Sequence, residues 1–216
     1  MQRVAVIDYG MGNLRSVAKA VEHAAEGTCD VVVTNDAGAI AAADRVVVPG
    51  QGAARDCMQA IGEHGVGKVI AHSITDKPFL GICMGLQVLL DRSEEHGGTD
   101  CLGLLRGQVR RFDRDLKDPK SGARLSVPQM GWNRVHAAQA HPLWNGIASG
   151  ERFYFANSYF ADPEDTSVVA GRTTYGCEFA SAIAFGCAFA VQFHPEKSQR
   201  AGLRLLSNFL RWDGRA

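Results

Sequence analysis

Short apolar runs alternate with helically spaced apolar residues through the first half of the chain. The helical spacing predicts a helix at Leu14–Ala25, a second near Ile40 and a third over residues 84–92. Because the apolar runs are continuous rather than alternating, they indicate parallel strands that are buried on both faces. The predicted strands are residues 4–7, 31–33, 45–48 and 78–82. This order predicts an α/β fold with a mostly parallel sheet covered by helices on both faces.

The second half of the chain has a different pattern, in which short β-rich segments are separated by turn residues. We expect these segments to form strands joined by hairpins, with a turn at Gly186-Cys187. The segments are residues 108–112, 127–135, 153–160 and 181–193. Antiparallel strands are therefore expected beside the parallel part of the sheet.

The last residues of the chain predict a further helix, and one earlier segment predicts a loop. The apolar stripe of the helix consists of Leu203, Leu206 and Leu210, flanked by Phe209. Residues 113–124 are rich in charges, Pro and Gly, and we expect a mobile loop there.

Length and composition limit the function classes to be considered. A chain of 216 residues suits one α/β core, so residues 1–216 are expected to form a single domain. The 46% hydrophobic and 21% charged residues are typical of a globular protein in water. The 23 basic and 23 acidic residues balance, so charge provides no case for binding nucleic acid or a membrane surface.

The N-terminus and the cysteines indicate a cytoplasmic protein. The first apolar run ends at Asp8, which is too early for the core of a signal peptide. The six cysteines are scattered without a Cys-x-x-Cys pair, which favours reduced thiols. Since no cluster of His, Cys and carboxylate residues has the spacing of a zinc site, we expect no metal and no other cofactor.

Two glycine-rich motifs suggest nucleotide binding but lack residues that it needs. The segment 10–15 follows a predicted strand, as a dinucleotide fingerprint would, but Arg15 stands at its third glycine position. The segment 62–68 has the glycine and lysine spacing of a phosphate loop, yet Val69 replaces the magnesium-binding hydroxyl. A nucleotide-binding module is therefore a weak hypothesis.

The sequence Gly81-Ile82-Cys83-Met84-Gly85 places a thiol between two glycines, after a predicted strand and before a predicted helix. This is the pattern of a nucleophile elbow, a strained turn in which the glycines allow close backbone packing. At a helix N-terminus, unpaired N–H groups and the helix dipole favour the thiolate over the thiol. Cys83 is the candidate nucleophile, although a buried cysteine beside packing glycines would have the same local sequence.

A cysteine nucleophile needs a base, and the base needs an orienting group. The sequence His194-Pro195-Glu196 follows a predicted strand, and Pro195 restricts the backbone so that both side chains can lie on one side of a turn. Glu196 would hold the imidazole tautomer and stabilise the imidazolium. A His and a Glu two residues apart are more often surface residues, but the elbow in the same chain favours a catalytic pair.

A third glycine-containing turn, Val48-Pro49-Gly50-Gln51-Gly52, also follows a predicted strand. This end of the strands is the edge where open α/β sheets bind ligands. The backbone N–H groups of Gln51 and Gly52 could approach a substrate and donate to an oxyanion, with the N–H of Met84 as the second donor. Without the elbow, the same residues would be interpreted as a β-turn with no role.

Together these residues resemble the class I (triad) glutamine amidotransferases, whose signatures are a nucleophilic Cys and His-Pro-Glu. The similarity is closest to the glutaminase subunits of imidazole glycerol phosphate synthases. Pro128-Gln129-Met130-Gly131-Trp132-Asn133 and the Lys-Ser after His-Pro-Glu separate those subunits from other members of the class. The matching segments are residues 7–14, 47–53, 81–87, 128–133 and 192–198. The resemblance implies a flavodoxin-like α/β fold with a mostly parallel central sheet.

The resemblance also implies a reaction and a partner. L-Glutamine would be hydrolysed to glutamate and ammonia through a thioester on Cys83, with His194 as the base. Ammonia would pass through a tunnel into a cyclase subunit, which is a (β/α)₈ barrel that forms a heterodimer with this chain and makes imidazole glycerol phosphate for histidine synthesis. The family further implies a glutaminase that is nearly silent until the cyclase holds its nucleotide.

Further residues take roles only through the resemblance. Those matching the positions that bind glutamine are Gly52, Gln87, Ser158 and Tyr159. Those whose family counterparts lie close to the cyclase are Asn13, Trp132 and Lys197. Two residues depart from the family pattern, because Asn157 stands where His is usual and Gln51 stands where Val is common. Asn157 does not titrate near neutrality, so a second catalytic imidazole is not expected there.

Two further interpretations stay open on the sequence. The first is a related enzyme, either a free-standing γ-glutamyl hydrolase or a class I glutaminase that serves another synthase. The second is a non-catalytic binding module with the same fold, against which the intact Cys83, His194 and Glu196 argue.

Overall fold

The computed structural model describes residues 1–215. The strands, in chain order, are β1 (Gln2–Ile7), β2 (Cys29–Thr34), β3 (Arg45–Val48), β4 (Phe79–Ile82), β5 (Arg92–Ser93), β6 (Thr99–Asp100), β7 (Gly107–Arg111), β8 (Gln129–Ala137), β9 (Glu151–Asn157), β10 (Tyr159–Pro163), β11 (Val169–Tyr175), β12 (Cys177–Phe185) and β13 (Ala188–Val191). The α-helices are α1 (Leu14–Ala25), α2 (Ala37–Ala42), α3 (Ala54–Glu63), α4 (Gly67–Asp76), α5 (Met84–Gln87) and α6 (Gln199–Arg211).

The predicted strands of the first half form the parallel part of the sheet, in the order β2-β1-β3-β4-β13. β13 comes from the far end of the chain and pairs in parallel with β4, where Val191 lies opposite Ile82. Three strands that are distant in sequence therefore end side by side, and the predicted parallel sheet is confirmed.

Successive side chains of these strands pack into two separate hydrophobic cores, one on each face of the sheet. Val4 and Val6 pack with α1 and α6 on one face, whereas Ala5 and Ile7 pack with α2, α3 and α4 on the other. Because both faces are covered, strand residues are apolar at consecutive positions, as the unbroken runs predicted. Among residues 1–215, no helix is both long and apolar enough to cross a membrane.

The second half contributes the antiparallel strands that were predicted, with two differences. The hairpin between β12 and β13 turns at Gly186-Cys187 as expected. The predicted segment 153–160 is interrupted at Ser158, so it forms β9 and the start of β10. β11 was not predicted, yet it pairs with both β12 and β8.

The helix predicted over residues 84–92 is wrong in length, because α5 ends at Gln87. Beyond it, the carbonyl groups of Val88, Leu89 and Leu90 accept hydrogen bonds from the N–H groups of residues 102–105 rather than from the next helical turn. These three side chains are fully buried, so the segment has no polar face to present to water. Tertiary hydrogen bonds thus replace the helix in an apolar segment.

The other sequence predictions differ only in detail. α6 buries Leu205, Leu206 and Phe209, while Leu203 is half-buried, so the apolar stripe is rotated from the predicted one. Residues 113–124 form neither a helix nor a strand. A single β-bridge between Lys117 and Arg124 connects the two sides of this loop.

Candidate active site

The predicted site residues follow the C-terminal ends of adjacent parallel strands. Residues 49–52 follow β3, Cys83 follows β4, and residues 192–196 follow β13. Since parallel strands end at the same edge of a sheet, these three segments meet there. The edge matches the position expected from the sequence.

Cys83 occupies a strained backbone conformation at the junction of β4 and α5. Its φ of 55° and ψ of −105° are unusual for a residue with a side chain. A Cβ atom on Gly81 would lie 2.5 Å from the carbonyl oxygen of Gly85, and one on Gly85 would overlap the carbonyl oxygen of Val48. Both glycines are therefore needed for the elbow, as the sequence predicted.

The elbow fixes Cys83, the candidate nucleophile, directly before the first turn of α5. The N–H of Cys83 donates to the carbonyl of Val191 on β13 at 2.7 Å, which fixes the turn to the neighbouring strand. The N–H of Met84 lies at the start of the helix, where no carbonyl of the same helix can accept it. It is therefore in the position expected for an oxyanion donor.

His194 is held between Glu196 and Cys83. Nδ1 of His194 lies 2.9 Å from Oε1 of Glu196, and the two side chains are only 6% and 1% exposed. Burial alone would lower the pKa of His194, but hydrogen bonds and charges from Cys83 and Glu196 outweigh it and raise the pKa above its ordinary value. The arrangement favours a protonated imidazole beside the sulfur of Cys83.

Strand β9 fixes the turn that carries this pair. The N–H of His194 donates to the carbonyl of Tyr154 at 2.9 Å. The hydroxyl of Ser198 accepts the N–H of Tyr154 at 2.9 Å and donates to the carbonyl of His194 at 2.6 Å. Residues Pro195–Lys197 form a 3-10 turn between these anchors, so the rigid turn predicted from Pro195 is present.

One buried carboxamide contacts Cys83 and a second one holds the first, and the one in contact, Gln192, was missed by the sequence reasoning. Nε2 of Gln192 donates to Sγ of Cys83 at 3.6 Å, while Nε2 of Gln87 donates to Oε1 of Gln192 at 2.9 Å. Gln87 also donates to the carbonyl of Tyr159 at 3.2 Å. The signal for Gln192 was a polar residue at the end of an apolar strand, directly before Phe193 and His194.

Side chains from two other elements anchor the segment 49–52. The hydroxyl of Tyr9, which is fully buried, donates to the carbonyl of Pro49 at 2.6 Å. The thiol of Cys57 donates to the carbonyl of Gln51 at 3.6 Å. Burial raises the pKa of Cys57 to about 12, so this thiol stays protonated and remains a donor.

The glycine motif near the N-terminus packs against the same segment. A Cβ atom on Gly12 would lie 3.4 Å from Cα of Gly50, and one on Gly52 would lie 3.1 Å from the methyl of Met11. Gly12 has a φ of 98°, a conformation that favours glycine. These glycines therefore serve close backbone packing beside the elbow.

A cavity of about 200 Å³ opens in front of Cys83. The predicted residues that line it are Gln51, Gly52, Cys83, Met84, Gln87, Ser158, Tyr159, His194 and Lys197. Asn157, which replaces the usual family His, also lines the cavity and donates to the carbonyl of Tyr159 at 2.9 Å. The structure thus places the candidate nucleophile, its base and the expected glutamine-binding residues around one cavity.

The residues predicted near a partner lie around the same turn. The ring of Trp132 meets that of Tyr154 edge-on at 6.1 Å, and Nζ of Lys197 lies 5.8 Å from the centre of the same ring. Trp132 is 38% exposed, and its neighbour Met130 is 69% exposed. Asn13 precedes α1, which packs against the turn Pro195–Lys197.

The chain is similar in sequence to known proteins along its whole length. The family described as glutamine amidotransferase class-I matches residues 5–212. Imidazole glycerol phosphate synthase subunit HisH of Pseudomonas savastanoi pv. phaseolicola is 56% identical over 215 residues, which is 100% of each chain. The subunit of the same name from Thiobacillus denitrificans is also 56% identical, over 97% of this chain and 91% of its own.

Solved structures share the fold at much lower identity. The structure described as PurLQS from Thermotoga maritima has a TM-score of 0.71 at 20% identity, over 97% of this chain and 98% of its own. A structure described as a glutamine amidotransferase has a TM-score of 0.69 at 19% identity, over 96% of this chain and 97% of its own. The family match in sequence and the fold of the solved structures agree. The chain belongs to the class-I glutamine amidotransferases, among the HisH subunits of imidazole glycerol phosphate synthase.

Proposed function

We propose that this chain is the glutaminase subunit of an imidazole glycerol phosphate synthase, with Cys83, His194 and Glu196 as its catalytic triad. The observation that carries the proposal is the 2.9 Å contact between His194 and Glu196 beside an elbow cysteine. The identity of 56% to HisH subunits over the whole chain supports the assignment to this synthase.

The triad would hydrolyse the side-chain amide of L-glutamine in two steps. The thiolate of Cys83 attacks the side-chain carbonyl carbon, and the resulting oxyanion accepts hydrogen bonds from the N–H of Met84 and from Gln51 or Gly52. His194 gives its proton to the leaving nitrogen, so the C–N bond breaks and ammonia departs. A γ-glutamyl thioester remains on Cys83.

The second step returns the enzyme to its starting state. His194 takes a proton from water, and the hydroxide attacks the thioester carbon. The C–S bond breaks, glutamic acid leaves and ionises to glutamate, and Cys83 is again a thiolate beside the protonated His194. Glu196 keeps the imidazole in one tautomer and stabilises its cationic form throughout. The sum is glutamine plus water giving glutamate plus ammonia.

Ammonia released in the cavity would serve a cyclase subunit of (β/α)₈ fold, bound as a heterodimer in the cytoplasm. The surface that would meet it includes Asn13, Trp132 and Lys197, which surround the turn carrying His194. Trp132 and Met130 expose large apolar area there, as partner surfaces do. Residues 1–216 would act as one glutaminase domain, with Gln87, Ser158 and Tyr159 holding the amino-acid end of glutamine.

The test is glutamate release by the purified chain, measured alone and then with the cyclase and its nucleotide ligand. We expect release that the cyclase and nucleotide stimulate and that Cys83→Ala abolishes. Unstimulated release at full rate would instead indicate a free-standing hydrolase. No release under any condition would indicate a binding module.

A further inference from the structure

Three hydrogen bonds connect a backbone carbonyl to the nucleophile through two buried side chains. The carbonyl of Tyr159 accepts from Gln87, the amide oxygen of Gln192 accepts from Gln87, and Sγ of Cys83 accepts from Gln192. Gln87 is 3% exposed and Gln192 is fully buried, so water does not compete for these groups. Cys83, Gln87 and Tyr159 line the cavity, and Gln192 lies buried behind it.

The carbonyl at one end determines the direction of every bond in this chain. A carbonyl group only accepts, so the Gln87 atom that faces Tyr159 at 3.2 Å must be the amide nitrogen. That nitrogen then donates its second hydrogen to Gln192 at 2.9 Å, so the Gln192 atom facing it must be the oxygen. The remaining atom of Gln192, its NH₂ group, is left facing the sulfur.

We propose that Gln192 stabilises the reactive thiolate of Cys83 through its amide N–H, and that Gln87 is a positioning residue that keeps this N–H, rather than the amide oxygen, toward the sulfur. The proposal rests on the proposed role of Cys83 as nucleophile. Gln87 would then orient Gln192 in addition to contacting glutamine, and Gln192 would act as a hydrogen-bond donor to the sulfur.

The physical effect follows from where the donor lies. A hydrogen bond to an anion favours the charged form, and it is stronger in a buried site than in water. His194 provides one cationic neighbour for the sulfur, whereas Gln192 provides a neutral donor that cannot lose its proton. The sulfur would therefore have a donor that does not titrate, both before it attacks glutamine and when the thioester releases it.

The test is the rate of Cys83 alkylation by iodoacetamide as a function of pH, followed by mass spectrometry of the Cys83 peptide in the full chain. Gln192→Met keeps the length of the side chain but removes the donor. We expect the midpoint of the rate profile to rise by about one pH unit, which slows alkylation roughly tenfold at pH values below the midpoint.

Gln87→Met tests the positioning step without touching the sulfur. With no donor at position 87, Gln192 is free to turn its oxygen toward Cys83, so the profile should shift in the same direction as for Gln192→Met. Gln59→Met is the matched control, because Gln59 is an exposed residue of α3 whose amide donates only to Glu63, at 2.8 Å. Its profile should remain that of the unaltered protein.

The outcomes separate this proposal from the proposed function. An unchanged profile for Gln192→Met in a protein that unfolds at the normal temperature would overturn the role of Gln192. If that variant does not fold, Gln87→Met decides, and an unchanged profile there overturns the proposal as a whole. The proposed function fails on a different readout, namely glutamate release that survives Cys83→Ala.

Discussion

Oε1 of Glu196 lies 2.9 Å from Nδ1 of His194, which leaves Nε2 as the ring nitrogen available to Cys83. The second carboxylate oxygen, Oε2, is buried without a hydrogen-bond partner among residues 1–215. The hydrogen bond to the imidazole is therefore the one contact of this carboxylate among the described residues. Loss of the Glu196 carboxylate should therefore alter the reactivity of the Cys83 thiol, with which it is connected through His194.

We expect Glu196→Gln to lower the rate constant of glutamine hydrolysis by roughly 10²–10⁴-fold while the fold is kept. The amide lacks the charge that holds the imidazole in its cationic form. The measurement is glutamate release at saturating glutamine with the cyclase present. Glu178→Gln, which removes an exposed carboxylate paired with Arg172 on the sheet, should leave the rate unchanged. Equal rates for both variants would contradict the role of Glu196.

Tyr9→Phe should destabilise the protein by about 1–3 kcal/mol, because the buried carbonyl of Pro49 loses its hydrogen bond at 2.6 Å. Thermal unfolding measures this change, which should lower Tm by a few degrees. Tyr175→Phe is the matched control, since that hydroxyl also donates to a carbonyl, at 2.7 Å to Ser126, but near the surface. The control should lose markedly less stability, and a loss as large as that of Tyr9→Phe would argue against a special role for the buried bond.

Gly85→Ala should abolish glutaminase activity and lower the yield of folded protein. The added methyl would overlap the carbonyl oxygen of Val48, a strand backbone atom that cannot move without displacing the sheet. Gly62→Ala provides the comparison, because Gly62 lies in the last turn of α3 and a Cβ atom there meets nothing within 4 Å. That change should stabilise the protein by about 0.5–1 kcal/mol. Activity and unfolding temperature together distinguish the two.

His141 should make the protein less stable as the pH falls from 6.5 toward 4. Burial lowers the pKa of His141 from 6.5 to about 4, so the unfolded chain binds this proton first. Stability is therefore complete above pH 6.5 and decreases below it, by at most about 3 kcal/mol for this group. His141 stacks on Phe189 at 4.6 Å, so His141→Phe removes the titration while keeping an aromatic ring.

Urea unfolding of both proteins at pH 7 and pH 4.5 measures the effect. The difference in unfolding free energy between the two pH values should be smaller in His141→Phe. An identical difference in the two proteins would mean that other groups account for the acid dependence.

Much of the fold was predictable because its strands are buried on both faces and its first helix is amphipathic. The bounds of α1 and β3 match the sequence patterns. The helix predicted over residues 84–92 was wrong because its apolar residues are covered on every side, so their hydrogen bonds depend on distant segments. β11 depends in the same way on two partner strands that are remote in the chain.

The candidate site was partly predictable for the same reason. Cys83 and His194 belong to short motifs with their own local geometry, so they could be selected from the sequence. Gln192 and Tyr9 act through contacts across 109 and 40 residues, so their partners could not be identified from a local pattern. The roles of the triad, the glutamine-binding residues and the partner surface remain predictions for the experiments above.

The placement of β13 beside β4 has a consequence for the chain while it is being made. The elbow cysteine leaves the ribosome long before the strand that brings Gln192 and His194, because these residues lie more than a hundred positions later. Until that strand inserts, neither Gln192 nor His194 lies beside the sulfur. The neighbours that Cys83 has in the finished protein thus arrive with the last strand of the sheet, and a chain that ends before β13 lacks the candidate catalytic pair.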